Sequence, residues 1–174
     1  DKTSRVRPFS MFDSQDPAKL WDYMEKYEAS TGGRAFAHVH NGNLSNGIAF
    51  TAATVDGTPM DAAYAARRSR WEPIMEITQM KGDGETHPYL SPDDEFADFE
   101  RWDVGNLDGS APKKKEMLRY EYGRSALLTG LEVEAKVGVN PYDFGFNGTT
   151  DAHTGLASSG EENFFGKFAG TEPG

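Results

Sequence analysis

Asp151 and His153 stand two residues apart, and on an extended backbone residues at that spacing point to the same side. A carboxylate and an imidazole aimed at one point make the kind of donor pair a divalent cation accepts. His38 and His40 repeat the spacing. His38 reads as an ordinary packed histidine satisfied by hydrogen bonds, whereas His40 is followed by Asn41 and Asn43, whose amides could orient it or hold a substrate. Glu76 lies in an otherwise apolar run, Ile74, Met75 and Ile77. A carboxylate there is costly unless paired or bound to a cation, so Glu76 is a ligand, a base or the partner of a buried Arg. The run KGDGETHP at 81–88 is dense in side chains capable of function, among them Lys81, Asp83, Glu85 and His87, and its glycines allow close approach of the backbone to a ligand. It reads equally as a solvated turn. Ser45 and Thr150 lie outside any G-x-S-x-G pattern, which argues against a Ser-His-Asp hydrolase.

The elements that must position these residues form three successive helix-to-strand units. Asp16 as N-cap, Pro17 at the first helical position, and Leu20, Trp21, Met24 and Tyr27 at helical spacing predict a helix over 17–30, ended by Gly32 and Gly33. A strand over 34–39 follows, then a polar loop at 40–47. Thr58 to Asp61 resembles a capping box and opens a helix to about residue 69, with the next strand at 74–78 and a loop at 79–88. A short helix is predicted from a cap at 91–94 to about residue 100. The segment 103–115 is expected to be flexible, and its three lysines at 113–115 read as a solvated helix start. Met117, Leu118, Tyr122, Ala126, Leu127, Leu131, Val133 and Val137 support one long helix over 113–137 despite Gly123 and Gly130; Gly138 closes it, and a third strand spans 143–147. The tail from 157 reads as irregular and partly packed.

Helix-to-strand repetition predicts a parallel sheet in an α/β arrangement with the helices outside. His40, Lys81, His87, Asp151 and His153 then fall at strand C-terminal ends, the face on which such folds build active sites. Three strands cannot close a barrel. The 174 residues are therefore read as a single domain forming part of a larger barrel, with the remainder in a longer parent chain or another subunit. The absence of an initiator Met accords with a removed leader or an internal piece.

The formal net charge of −10 opposes a sequence-independent grip on nucleic-acid phosphates or anionic membranes, so neither is expected as a partner. No run of about 18 apolar residues reads as a membrane-spanning helix, and the first residues lack the apolar core of a secretory signal. Cys is absent, so any metal must be held by His and carboxylates.

Several long motifs occur in one order: HNGNLSNG at 40–47, WEPIMEITQMKGDGETHP at 71–88, LSPDDEF at 90–96, and GVNPY at 138–142 leading into TTDAHTG at 149–155. Together they resemble the bacterial family of unknown function DUF3604, related to the PHP superfamily of metal-dependent phosphoesterases. The resemblance implies a distorted (β/α)7 barrel that binds two or three divalent metals, usually Mn, Zn or Fe, and hydrolyses phosphate esters. It further implies metal ligands at His40, Asp151 and His153, and a ligand or proton-transfer role for Glu76 or His87. Lys81 would meet the phosphate, and Asn41 and Asn43 would line the substrate. The early H-x-H of that superfamily does not precede Asp1, so the chain resembles the C-terminal half of the family. Amidohydrolase-like chemistry and a non-catalytic binding module are the alternatives. An open half barrel is expected to self-associate or to join the missing strands. The Cys-free composition and the frequent export of the family lean toward the periplasm.

Overall fold

Helix α1, Pro17–Thr31, begins where Asp16 accepts the Ala18 N–H at 2.9 Å, and ends where Gly32, at φ 72°, donates its N–H to the Glu28 carbonyl in a computed structural model that describes residues 6–153. The following strand is shorter than expected: β1 is His38–Val39 alone. Upstream of it, the Ala35 N–H bonds to the Glu28 carboxylate and the Ala37 N–H to the Trp71 carbonyl, so those groups are satisfied without a neighbouring strand. Helix α2, Ala62–Trp71, is capped by Asp61 on the Tyr64 N–H at 2.7 Å. Thr58 belongs to the preceding turn, its carbonyl accepting from Thr54, and takes no part in a capping box.

Strand β2, Ile74–Gln79, runs one residue beyond its predicted end. The loop after it folds back as β3, Gly82–Asp83, antiparallel to β2 with Thr78 opposite Asp83 and Gln79 opposite Gly82. Gly82 is required here: its φ is 104°, and a Cβ would lie 2.5 Å from Cβ of Trp102. The helix expected near 91–100 is a series of turns. Asp94 takes the Phe96 N–H on its side chain, offering the backbone a local alternative to the helical bond. The long helix is broken into α3, Lys115–Leu118, and α4, Gly123–Val137. Between them the Tyr120 carbonyl accepts from Phe50, while the Gly123 and Arg124 N–H groups donate to the carbonyls of Gly84 and Glu85. Backbone outside the helix thus supplies partners that a continuous helix would have supplied itself. Strand β4, Gly145–Gly148, follows Gly138, which ends α4 at φ 80°.

The protein is mixed α/β. Its sheet is small and open: β1 and β4 both pair with β2, and β3 adds the hairpin. No helix among the described residues is long and apolar enough to cross a membrane. The tail from 157 lies outside the described residues. The described residues divide into two compact units, one of 6–38, 51–74 and 127–145, the other of 39–50, 75–126 and 146–153.

In the first unit α1 packs on α2 around Trp21, Met24 and Trp71, with the Trp21 and Tyr64 rings edge to face at 5.0 Å. Within this core Arg68 and Glu72 are buried and paired at 2.9 Å, Trp21 Nε1 donates to the other Glu72 oxygen at 3.0 Å, and the Arg68 guanidinium lies 4.9 Å from the Tyr142 ring centroid. In the second unit Leu44, Phe50, Met75, Leu118, Tyr122 and Ala126 are buried. Removing one member of a buried ion pair leaves the other uncompensated, at a cost of about 3–5 kcal/mol. Glu72→Ala is accordingly expected to lower the unfolding free energy in urea by about that amount, whereas an exposed change such as Glu25→Ala should leave it nearly unchanged.

Candidate functional site

The site lies in the second unit, where β1, β2 and β4 deliver polar side chains to one cluster. Glu76, on β2, has a side chain only 4% exposed. One oxygen accepts from His40 Nδ1 at 2.7 Å and from the Asn41 N–H at 3.4 Å; the other accepts from the Thr149 hydroxyl at 3.1 Å. A carboxylate only accepts, so the His40 nitrogen facing Glu76, Nδ1, carries a proton, and Nε2 is the ring nitrogen turned the other way. That atom stands 3.7 Å from Oδ1 of Asp151, and His153 Nε2 bonds the same oxygen at 3.1 Å. The second Asp151 oxygen pairs with the Lys81 ammonium. Asp151 is buried at 8% exposed, while the His40 and His153 rings are 40% and 49% exposed and accessible to solvent.

Two backbone turns aim these groups. Asn41 and Asp151, just after β1 and β4, adopt left-handed conformations at φ 57° and 56°, which Asn and Asp tolerate better than most residues. Asn41 is fixed by its side-chain oxygen, which accepts from Gln79 Nε2 at 2.9 Å, while Gln79 accepts the Lys81 N–H.

His40, Asp151, His153, Glu76 and Lys81 are therefore brought together, and Asn41 is joined to them through Glu76. Glu76 serves as the partner of His40 rather than meeting Asp151 in the manner of a fellow ligand. Asn43 is buried at 3% exposed, its amide donating to the Lys81 carbonyl at 3.0 Å, so it supports the site from within and does not present itself to a substrate. His87 makes its contacts elsewhere: Nε2 meets Asp103 at 3.1 Å and Nδ1 accepts the Tyr89 N–H at 3.0 Å, which engages both ring nitrogens. Asp83 accepts the Glu85 and Thr86 N–H groups, and burial raises its carboxyl above the ordinary value; Glu85 pairs with Arg124 at 2.6 Å. The residues that sequence reasoning missed are Thr149, Gln79, Lys113 and Glu121. Thr149, directly after β4 and two residues before Asp151, carried the one legible signal.

Among the described residues, no three His, Asp or Glu side chains are arranged as a ready-made metal site. The residue types nonetheless suit a divalent cation: two imidazoles and a carboxylate lie near one another, one imidazole is backed by a buried carboxylate, and an ammonium pairs with Asp151.

The chain belongs to the family described as "Protein of unknown function (DUF3604)", whose sequence profile matches residues 1–174. No curated protein and no solved structure matches it.

Glu76→Leu leaves the His40, Asn41 and Thr149 donors without their acceptor, and each such loss costs about 1–3 kcal/mol. The variant is expected to unfold at distinctly lower urea concentration than wild type, and Glu76→Gln, which keeps an acceptor oxygen, at an intermediate one.

Proposed function

We propose that the protein is a metal-dependent hydrolase of the PHP-like class acting on phosphate esters, and that its parallel strands belong to a (β/α) barrel of that type. The observation carrying this reading is the convergence on Asp151 Oδ1 of His153 Nε2 at 3.1 Å and His40 Nε2 at 3.7 Å, with Glu76 behind His40. His40 and Asp151 follow the C-terminal ends of β1 and β4, as barrel sites require. His40, Asp151 and His153 would hold Mn, Zn or Fe. Such an ion supplies Lewis acidity and an activated water at near-neutral pH.

The chain's own residues supply the rest. Glu76 holds the His40 proton on Nδ1 and so keeps the Nε2 lone pair available as a donor. Lys81 keeps a positive charge beside Asp151, where a phosphoryl oxygen could exchange places with the carboxylate as its partner. Because the sheet is open, the proposal extends to self-association through its edge, which sedimentation equilibrium at monomer mass would contradict.

The test is hydrolysis of an aryl phosphate with Mn2+, with and without chelator. Metal-dependent turnover is expected, and Asp151→Ala should weaken Mn2+ binding in equilibrium dialysis by at least the ~10–100-fold that loss of an outer-shell partner produces. Turnover indifferent to chelator overturns the reading. Stoichiometric metal without turnover of any ester points to the binding module, and cleavage of amides but not phosphates to amidohydrolase-like chemistry.

A further inference from the structure

Lys113 and Glu121 form a buried charge pair, their side chains 8% and 0% exposed, with Nζ 2.7 Å from both carboxylate oxygens. Lys113 thus departs from the solvated helix start its run suggests. Both members also hold the backbone of a single loop, 41–47: Nζ donates to the Asn43 carbonyl at 2.7 Å, and the Gly47 N–H donates to Glu121 at 3.0 Å. The loop is pressed against its surroundings at two glycines. A Cβ at Gly42 would lie 2.9 Å from the Phe50 ring and 3.0 Å from the Glu121 carbonyl, and at Gly47, where φ is 71°, 2.8 Å from Met117 Cα. This loop directly follows His40, carries the Asn41 N–H that reaches Glu76, and through the Asn43 amide holds the Lys81 carbonyl.

A buried ion pair adds little net stability by itself, because desolvation offsets attraction. One whose two members both bond to the same loop has a geometric effect instead, since it defines where that loop lies. We infer that Lys113 and Glu121 are positioning residues: the pair locks loop 41–47 so that His40 stays on Glu76 and Lys81 stays beside Asp151. The metal readout of this inference rests on the functional reading above, and the spectroscopic one does not.

The experiment uses the full chain carrying the paired change Lys113→Met with Glu121→Gln, which removes both charges together. Long-range 1H–15N correlations of the imidazoles are readable because the chain has four histidines, and the His40 set is assigned by its loss in His40→Asn. Wild type should show His40 with its proton on Nδ1. In the paired variant, with unfolding temperature close to wild type, the His40 nitrogens are expected to shift toward a mixture of tautomers, and Mn2+ affinity to fall by the ~10–100-fold typical of outer-shell losses. Unchanged His40 signals in a folded paired variant overturn the inference. Should that variant not fold, Gly47→Ala decides, since it displaces the same loop without touching a charge: altered His40 nitrogens support the inference and unaltered ones overturn it. Failure of wild type to bind Mn2+ overturns the metal reading alone, because the tautomer is read without metal.

Discussion

A carboxylate buried in the middle of an apolar strand is the constraint on which the candidate site depends. The Glu76 side chain is only 4% exposed, so water cannot solvate it and its oxygens need donors from the protein itself. Those donors come from His40 and Asn41 after β1 and from Thr149 after β4. Satisfying one side chain on β2 therefore ties together the ends of three paired strands. It also fixes the orientation of the His40 ring, with Nδ1 toward Glu76 and Nε2 on the side of Asp151.

The same accounting applies to the other buried charges. Asp151 has Lys81 and His153, Glu121 has Lys113 and the Gly47 N–H, and in the first unit Glu72 has Arg68 and the Trp21 indole. In each case a carboxylate is held by a cation and by at least one further donor, the arrangement under which burial of charge is tolerated. The two networks of the second unit share a loop: Glu76 bonds its first residue, the Lys113 and Glu121 pair its middle and end.

Legibility in the sequence followed the range of the interactions. Helix α1 was readable almost to the residue because its signals, Asp16, Pro17 and the glycines after it, act within a turn of the helix they bound. Strand β2 was readable from its apolar run. The break between α3 and α4 was not, because it arises from Phe50, Gly84 and Glu85, far away in sequence, bonding the backbone at 120–124. Likewise the capping residues at 91–94 predict a helix to about residue 100, where Asp94 instead bonds the backbone locally. His40, Asp151 and His153 are legible as a candidate set from residue type and position after strands, while the sequence around Glu76 is equally consistent with a metal, a proton or an arginine as its partner.

Residue chemistry and local spacing by themselves determined which elements form at their ends, which histidines and carboxylates could converge, and that any cation must be bound through nitrogen and oxygen. Only the tertiary structure decided that Glu76 faces His40, that His87 is tied to Asp103, and that Lys113 and Glu121 are buried together. The reason is physical: a buried charge takes the partner that packing brings within about 3 Å, and nothing in the local sequence around a glutamate specifies which distant loop will arrive there.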